Sequence, residues 1–476
     1  MRSLQNKRYH FSGVGGSGMA PLSQFVALLG AHVTGSDRNL DRGLSLPVFD
    51  AVAEAGVTLV PQDGSGVTSD LDALVHSTAV ESTNPDYVRA GELGIPSIRR
   101  GSFLAQLASD RRAIAIAGTS GKSTVTAMVA HILLEAGFDP SFLGGGAAVD
   151  LVGAVPPGSL RVGASDWLVV ETDESDGSVA EFSPAIAVLT NLTRDHKEVE
   201  VTREMFGKFL AQTRERAVIH VGDPALQGVP RPDHLSSLTV GVEGDRHWFT
   251  PDLLAHGIRL TPNGVRFEID GAHARVPFPG ALTVQNAAIA IAAAHAAGIP
   301  VADAARALER FGGVRRRLER IGVADGIDVF DDFAHNPVKI RMAVEALRPL
   351  GSLWIFYQPH GYGPTRFFRE DLVQTFRDVL RPQDHLLLAP IYDAGGTAER
   401  TIRSEDIAEP LRRQSLHADV VASREEAMRH LIEGAHRGDR VVVMGARDDT
   451  LPSFARDILA GLLARSGEPA SSRAQR

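Results

Sequence analysis

AIAIAGTSGKSTVTAMVAHI, residues 113–132 of the 476-residue chain, is the stretch that decides the fold class. Its apolar start, Ala113–Ala117, predicts a buried strand, and the segment that begins at Ser123 predicts a helix. The glycine turn between them places backbone N–H groups at a helix N-terminus, where they bind phosphate. In such a turn Lys122 reaches the β- and γ-phosphates of a nucleotide, and a hydroxyl of Ser123 or Thr124 ligates Mg²⁺.

The turn itself consists of Gly118, Thr119, Ser120 and Gly121. A complete P-loop pattern has a further glycine five residues before Gly121, and this chain has Ile116 there, so the pattern is incomplete. A solvated glycine turn with a surface lysine is the alternative interpretation. The strand before the turn and the helix after it favour an ATP site in which all four turn residues contact the nucleotide.

The same strand–turn–helix rhythm recurs along the chain and predicts an α/β fold with parallel sheets. Three units are predicted, with bounds 1–110, 111–319 and 320–476, and a small antiparallel part is expected within 240–280. Strands are predicted at 8–12, 31–35, 73–77, 113–117, 167–171, 185–191, 327–330, 352–357, 384–389 and 440–444.

Composition excludes several classes of function. The net charge of −9 provides no global attraction for nucleic acid or an anionic membrane. The chain has no cysteine, which excludes disulfides, thiolate nucleophiles and iron–sulfur clusters and suits a cytoplasmic protein. No apolar run approaches the roughly 20 residues of a membrane span, and the polar N-terminus does not resemble a secretory signal.

A second glycine pattern, G-x-G-x-x-G, follows the first predicted strand at Gly13, Gly15 and Gly18. Asp37 ends the next strand, nineteen residues after Gly18, which is the spacing of a dinucleotide-binding fingerprint. NAD and a UDP-sugar both fit, because each offers a diphosphate and ribose hydroxyls. A purely structural glycine turn is the remaining interpretation.

Acidic residues follow the strand at 167–171, in the sequence ETDESD (171–176). Four carboxylates at one strand end repel one another unless a cation is present. The next strand ends at Asn191 and leads to His196, so Glu171 and His196 are predicted to flank one Mg²⁺ beside the phosphates. A lone surface histidine is the alternative for His196.

The junction of the second and third units carries the basic run Arg315–Arg317. Such a run is either a solvated face or, beside an ATP site, a clamp on the transferring phosphate. Asp332 follows a strand in the third unit and is placed to accept hydrogen bonds from ribose hydroxyls. The loop 357–366 either lines a substrate pocket or forms a rigid turn.

Taken together, these motifs resemble those of the Mur ligase family. The resemblance runs nearly end to end, through HFSGVGGSGM, GTSGKST, ETDESD, TNLTRDH, GVRRRLE, DDFAHNP and the QPH loop. It implies a Rossmann-like UDP-binding domain, a central P-loop ATPase domain and a Rossmann-like C-terminal domain. Within the family, the chain is most similar to the branch that adds L-alanine to UDP-N-acetylmuramate, with the murein-peptide ligases as near relatives.

The resemblance also implies a mechanism with ATP and Mg²⁺ as cofactors. The muramoyl carboxylate attacks the γ-phosphate to form an acyl phosphate, and the incoming amine then displaces phosphate. Implied roles are catalysis by Lys122, Glu171, His196 and Arg317; ATP binding by Gly118–Thr124, Asn191, Arg317 and Asp332; and Mg²⁺ binding by Ser123, Thr124, Glu171 and His196. The residues implied to hold the UDP-sugar are Gly13, Gly15, Gly16, Gly18, Asp37, Ser77, Thr78 and Ala79.

Departures from the family pattern are concentrated at the acceptor region. This chain has His335-Asn336-Pro337 where the alanine-adding branch has two histidines, and it lacks two arginines of the loop that follows His360. Those arginines belong to the region that holds the acceptor carboxylate. The acceptor-binding candidates are His335, Asn336, His360 and Arg366. L-alanine is the expected acceptor, with another amino acid or a recycled murein peptide as the alternative. An NAD-dependent oxidoreductase and a non-catalytic nucleotide-binding regulator are distant alternatives.

Overall fold

The structure is a computed structural model that describes residues 4–78, 80–151, 153–194, 197–393 and 399–466. Two of the predicted site residues, Ala79 and His196, lie outside the described residues. The chain forms two compact units. The N-terminal unit runs to Arg259 and adds Val265–Pro277 and Thr283–Gly313; the C-terminal unit consists of Leu260–Gly264, Phe278–Leu282 and the chain from Val314 onward.

The first sheet of the N-terminal unit has five strands in the order β3-β2-β1-β4-β5, and every neighbouring pair is parallel. This order, with a helix after most strands, is that of a Rossmann-like half. Its elements are β1 (Arg8–Ser12), α1 (Met19–Leu28), β2 (His32–Ser36), α2 (Arg38–Asp41), α3 (Pro47–Glu54), β3 (Thr58–Leu59), β4 (Ala73–His76), α4 (Pro85–Leu93), β5 (Ser97–Arg99) and α5 (Arg100–Ser109).

The second sheet has eleven strands in the order β16-β15-β14-β13-β12-β11-β6-β10-β7-β9-β8. Its strands are β6 (Arg112–Ala117), β7 (Ser141–Leu143), β8 (Ala154–Val155), β9 (Leu160–Arg161), β10 (Trp167–Glu171), β11 (Ile186–Leu189), β12 (Arg216–His220), β13 (Ser236–Val242), β14 (Leu253–Thr261), β15 (Gly264–Ile269) and β16 (Ala272–Val276). Its helices are α6 (Lys122–Glu135), α7 (Val199–Ala211), α8 (Ala281–Ala296) and α9 (Val301–Ala307), with short 3₁₀ turns at Ser178–Glu181, Pro224–Gly228 and Leu308–Arg310.

The centre of the second sheet is parallel and buried on both faces. Strand β6 has the sequence RAIAIA, and five of its six residues are buried. Such near-continuous apolar runs are typical of parallel strands that are covered by helices on each side. At one end of the sheet β15 and β16 pair antiparallel, whereas β13 and β14 pair parallel. The expected antiparallel part within 240–280 is therefore confirmed for β15 and β16, and it is wrong for β13 and β14.

The C-terminal unit contains a six-stranded sheet in the order β17-β18-β22-β19-β20-β21, parallel except for the first pair. Its elements are β17 (Glu319–Ala324), β18 (Ile327–Asp332), α10 (Pro337–Leu347), β19 (Leu353–Gln358), α11 (Tyr362–Phe367), α12 (Arg369–Val379), β20 (His385–Leu388), α13 (Glu405–Arg412), β21 (His417–Val420), α14 (Arg424–Gly434), β22 (Arg440–Gly445) and α15 (Leu451–Ser466). Helices cover both faces, each over its own apolar cluster.

The predicted α/β class with parallel sheets is confirmed, and most strand boundaries differ from the predicted ones by one or two residues. One apolar cluster runs through both sheets of the N-terminal unit and includes Phe11, Phe25, Phe103 and Leu168. Among the described residues, no helix combines the length and apolar character needed to cross a membrane. The predicted domain bounds 1–110, 111–319 and 320–476 stay predictions.

Candidate active site

The glycine turn Gly118–Gly121 connects β6 to α6 at the carboxyl edge of the second sheet. Its neighbours end at the same level, because Glu171 of β10 is in register with Ile116 and Leu189 of β11 with Ala117. The loops that follow β6, β10 and β11 therefore meet at one edge. In open α/β sheets this edge is where ligands bind.

Two glycines of the turn are required by its geometry. Gly118 has φ +147° and Gly121 has φ +79°, both in the region that favours glycine. A Cβ atom on Gly118 would lie 1.9 Å from Thr190 Oγ1, and one on Gly121 would lie 2.5 Å from Asn286 Oδ1. Asn286 Oδ1 is buried without a hydrogen-bond partner among the described residues. At these two positions the turn thus approaches its neighbours too closely for a side chain.

Asn191 holds the turn in shape. Its Oδ1 accepts hydrogen bonds from the backbone N–H of Thr119 (3.2 Å) and Ser120 (2.8 Å), and its Nδ2 donates to Ser120 O at 2.9 Å. The Thr119 hydroxyl lies 2.8 Å from the hydroxyl of Thr193, which comes from the same loop as Asn191. The side chain of Asn191, the predicted ATP-site asparagine, is therefore in direct contact with the backbone of the turn.

Lys122 is the first residue of α6, and its ammonium is largely buried. Nζ donates to Gly118 O at 2.7 Å and pairs with Glu174 Oε2 at 2.7 Å. Burial acts to lower the pKa of Lys122, but the carboxylates of Glu174 and Glu171 outweigh it, and the pKa is raised above its ordinary value. The side chain is therefore held as a cation beside the turn, as phosphate binding requires.

The predicted magnesium ligands Ser123 and Glu171 are neighbours. Ser123 Oγ donates to Glu171 Oε1 at 3.2 Å, and Glu171 Oε2 accepts the N–H of Gly145 at 2.7 Å. Thr124 follows in the first turn of α6 and is half-buried. A carboxylate and a hydroxyl at one point are the hard oxygen ligands that Mg²⁺ prefers. His196, the fourth predicted ligand, lies outside the described residues.

The second glycine pattern forms the turn between β1 and α1. Gly13 N donates to Ser36 O at 2.8 Å and has φ +80°. Asp37 is buried, and its Oδ2 accepts the N–H of Gly15 at 3.0 Å while its Oδ1 accepts the N–H of Asn39 at 2.9 Å. Asp37 therefore joins this glycine turn to the N-terminus of α2, a structural role that the UDP-sugar-binding prediction did not include.

The remaining predicted UDP-sugar residues surround the same turn. Gly16 N donates to Gly13 O at 3.1 Å, and Met19 N donates to Gly16 O at 2.9 Å. Ser77 and Thr78 follow β4, where Val80 N donates to Ser77 O at 3.2 Å. Val80 in turn lies 3.7 Å from the position of a Cβ on Gly13. The loop after β4 and the glycine turn after β1 are thus adjacent; Ala79 of this loop lies outside the described residues.

In the C-terminal unit, Asp332 and Arg317 lie close to Phe333. Asp332 is buried, with Oδ2 accepting the N–H of Leu318 and Oδ1 accepting the N–H of Ala334, both at 2.7 Å. Burial raises the pKa of Asp332 above its ordinary value. The guanidinium of Arg317 lies over the ring of Phe333, 4.7 Å from its centre. The two predicted ATP residues of this unit are fifteen positions apart in the chain, and the fold brings them together beside Phe333.

The acceptor candidates are also in the C-terminal unit, and two of them are in contact. The rings of His335 and His360 are 4.8 Å apart between centres. Asn336 Oδ1 accepts the N–H of Lys339 at 2.9 Å and caps α10. Arg366 pairs with Glu399 at 3.0 Å on an exposed surface. The arrangement therefore brings His335 and His360 together, while Asn336 has a capping role and Arg366 has a carboxylate partner.

Two residues that the sequence did not single out contact the predicted site. Glu174 is the partner of Lys122, and Arg100 pairs with Asp173 and Asp176 at 3.2 Å each. Glu174 belongs to the acidic stretch ETDESD, whose charge was a visible signal. Arg100 follows β5 in no recognisable pattern, and its contact lies more than 70 positions away along the chain. No local signal predicts such a pairing.

Family models for three Mur ligase segments match the chain. The model described as Mur ligase family, catalytic domain, matches residues 8–112. The Mur ligase middle domain matches residues 116–294, and the Mur ligase, glutamate ligase domain, matches residues 316–447.

Similar proteins of known name span nearly the whole chain. A UDP-N-acetylmuramate–L-alanine ligase of Phenylobacterium zucineum is 32% identical over 467 residues, which cover 94% of each chain. One of Rhizobium meliloti is 33% identical over 463 residues, which cover 92% of this chain and 93% of that protein. Among solved structures, the UDP-N-acetylmuramate–alanine ligase of Thermotoga maritima has a TM-score of 0.75 at 24% identity, covering 96% of this chain and 99% of the other. A murein peptide ligase of Psychrobacter arcticus has a TM-score of 0.68 at 24% identity, with the same coverage.

Proposed function

The chain belongs to the Mur ligase family, and from that premise we propose that it is an ATP-dependent ligase that joins L-alanine to UDP-N-acetylmuramate. The reaction serves peptidoglycan precursor synthesis, and we place it in the cytoplasm. The proposed division of labour keeps the predicted bounds: 1–110 for the UDP-sugar, 111–319 for ATP and 320–476 for the acceptor.

One observation carries the proposal: the N-terminal unit holds two glycine turns, each at the carboxyl end of a parallel strand. The turn Gly13–Gly18 follows β1, and the turn Gly118–Gly121 follows β6. An enzyme that transfers a phosphoryl group between two phosphorylated substrates needs a cradle for each of them. An NAD-dependent oxidoreductase would have no use for the second turn with its lysine.

The chemistry proposed for the second turn is formation of an acyl phosphate. The muramoyl carboxylate attacks the γ-phosphorus of ATP, the bond to the β–γ bridging oxygen breaks, and ADP leaves. Such a transfer requires positioning and neutralisation of charge rather than covalent help from the protein. Lys122, held as a cation by Glu174, neutralises the phosphate oxygens, and the backbone N–H groups that Asn191 orients bind them.

Mg²⁺ fits the pair Ser123 and Glu171, since their oxygens already meet at 3.2 Å. Together with Thr124 and His196 they are the proposed ligands, and a bound Mg²⁺ supplies charge neutralisation between phosphates. Ser123 and Glu171 bring the metal-binding oxygens to the first turn of α6. Gly145 N fixes the other carboxylate oxygen of Glu171, which leaves the Ser123-facing oxygen directed at the site.

The second half-reaction is attack of the neutral amine of L-alanine on the acyl carbon, with release of phosphate. We propose His335, Asn336, His360 and Arg366 for the acceptor, and Arg317 and Asp332 for ATP. A different amino acid or a recycled murein peptide is the second candidate acceptor. It rests on the acceptor region of this chain, where His335 is followed by Asn336, and Arg366, the remaining arginine of the loop after His360, pairs with Glu399 at 3.0 Å.

The test of the first half-reaction is positional isotope exchange in ATP labelled with ¹⁸O in the β–γ bridge. Exchange that depends on UDP-N-acetylmuramate and requires no amino acid is the expected result. Absence of exchange, with ATP and the UDP-sugar both bound as judged by calorimetry, would overturn the assignment and favour a nucleotide-binding protein without catalysis.

A further inference from the structure

Arg100 lies between the two phosphate-binding turns. It is the first residue of α5, and its side chain is 21% exposed. Nη2 is 3.2 Å from Asp173 Oδ2 and 3.2 Å from Asp176 Oδ2. Nη2 of the guanidinium thus holds the loop Glu171–Asp176, which we call the acid loop.

The first glycine turn packs against the remainder of the Arg100 side chain. A Cβ atom on Gly18 would lie 3.1 Å from Arg100 Cδ and 3.2 Å from both Nε and Nη1. The small size of Gly18 favours this close contact. Among the described residues, the hydrogen bonds of this guanidinium all run through Nη2. Nη1 therefore lies beside the turn with no hydrogen bond to a described residue.

The acid loop connects this contact to the ATP turn. Its Glu174 pairs with Lys122, while its Asp173 and Asp176 pair with Arg100. Burial acts to raise the pKa of Asp173, but hydrogen bonds from Ser175, with smaller contributions from Arg100 and Lys122, hold it below its ordinary value. Two cations, one beside each glycine turn, therefore hold one loop from its two sides.

The packing behind Arg100 makes this arrangement rigid. A Cβ atom on Gly101 would lie 2.3 Å from Ser178 Oγ and 2.9 Å from Asp176 Oδ2, so the first turn of α5 lies directly against the residues that follow the acid loop. Ser178 N in turn donates to Asp176 Oδ1 at 2.8 Å. The start of α5 is therefore closely packed against this segment, which keeps the Arg100 side chain beside the glycine turn.

We propose that Arg100 is a substrate-positioning residue that donates from Nη1 to a phosphate oxygen of a nucleoside diphosphate while Nη2 holds the acid loop. A planar guanidinium keeps its two terminal nitrogens in fixed relative positions, so that each can bind a different partner, which a single ammonium does not provide. The bridge sets the distance between the UDP-sugar and the ATP turn. The expected effect of Arg100 on catalysis rests on the proposed function, whereas its binding of a nucleoside diphosphate does not depend on that function.

Binding of UDP and of uridine to the full-length chain, measured by calorimetry, tests the binding half. Arg100→Ala is expected to weaken UDP binding by about 10- to 100-fold, the range for a lost charge-assisted hydrogen bond, and to leave uridine binding unchanged. Arg99→Ala, an exposed neighbour, is the matched control and is expected to bind UDP normally. Equal UDP affinity in Arg100→Ala and the wild type would overturn the inference.

Steady-state kinetics test the positioning half. Arg100→Ala is expected to raise the KM for the UDP-sugar and lower kcat, and Arg100→Lys to restore part of the KM effect but little of kcat. Asp176→Asn weakens the contact between Arg100 and the acid loop and leaves the phosphate-binding nitrogen of Arg100 in place. It is expected to lower kcat with UDP binding intact. Full restoration of kcat by Arg100→Lys would contradict the proposal that the guanidinium binds the phosphate and the acid loop at the same time.

The same experiments separate this inference from the proposed function. Loss of UDP affinity in Arg100→Ala in a protein that ligates no amino acid would leave the binding inference intact and reject the ligase. Thermal melting of each variant identifies a folding defect, and Arg100→Lys, which keeps the charge and most of the packing, serves where Arg100→Ala does not fold.

Discussion

Lys122 Nζ lies 2.7 Å from Glu174 Oε2 in the loop that follows β10. This ion pair holds the cation of the ATP turn in place, and it joins the turn to the same loop that Arg100 holds from its other side. The pair is largely buried, so removal of one partner leaves an uncompensated charge. The arrangement makes Lys122 both an electrostatic and a structural part of the site.

Lys122→Ala is expected to lower turnover by about 10³-fold or more, because the phosphates lose their positioned cation. Binding of UDP-N-acetylmuramate, measured by calorimetry, is expected to stay nearly intact, since its turn lies elsewhere in the unit. Equal loss of turnover and of UDP-sugar binding would contradict the division into two phosphate sites.

Glu174→Gln is expected to tighten ATP binding several-fold and to lower kcat. The substitution removes a carboxylate that competes with phosphate for Lys122, and it also removes the group that orients the ammonium. The apparent ATP affinity from nucleotide titrations and kcat from phosphate release check the two effects. Unchanged ATP affinity would show that Glu174 does not compete with the nucleotide.

Gly118→Ala is expected to destabilise the chain and abolish ATP binding, because the new Cβ would lie 1.9 Å from Thr190 Oγ1 at a φ of +147°. The expected loss of stability is on the order of 1–3 kcal/mol or more. Gly91→Ala in α4 is the matched control, since a Cβ there has nothing within 4 Å. A helical alanine at that site is expected to stabilise by about 0.5–1 kcal/mol. Thermal melting with and without ATP distinguishes the two variants.

The stability of the C-terminal unit is expected to depend on pH through Asp331. Burial raises the pKa of Asp331 to about 7, with Glu319 and Asp332 adding to the effect and Arg316 opposing it. Because the folded state binds this proton more tightly than the unfolded chain, the stabilisation is complete below about pH 4 and is lost as pH rises through about 7.

Urea unfolding followed between pH 5 and pH 8 measures this dependence. In the wild type the free energy of unfolding is expected to fall by about 1.4 kcal/mol per pH unit, a few kcal/mol in all. Asp331→Asn is expected to flatten this decline. Asp325→Asn, on the turn between β17 and β18, is the control and is expected to keep the wild-type slope. A slope that Asp331→Asn leaves unchanged would assign the dependence to another group.

The buried parallel strands were predictable because their sequences are continuous apolar runs; Ala113–Ala117 and Trp167–Glu171 are examples. The two glycine turns were predictable as well, because the patterns at Gly13–Gly18 and Gly118–Gly121 each follow a strand and precede a helix. Phosphate binding by these turns stays a prediction. The short strands β7, β8 and β9 carry no such pattern and were missed. Their pairing depends on contacts across the sheet rather than on local sequence.

Within the site, the sequence indicates residue types but not how their hydrogen bonds are distributed. Asp37 and Asn336 carry the expected polar groups, yet both accept backbone N–H groups at helix N-termini. Short polar side chains at such positions satisfy the helix first. The bridge formed by Arg100 depends on residues more than 70 positions apart, and only the fold reveals it.

Product analysis by mass spectrometry tests whether the chain ligates L-alanine to UDP-N-acetylmuramate. The chain is incubated with UDP-N-acetylmuramate, ATP, Mg²⁺ and each of a panel of acceptors that includes L-alanine, other amino acids and a murein tripeptide. We expect ADP, phosphate and UDP-N-acetylmuramoyl-L-alanine, with L-alanine as the preferred acceptor. Product with another acceptor and none with L-alanine would show that the chain is not an L-alanine ligase.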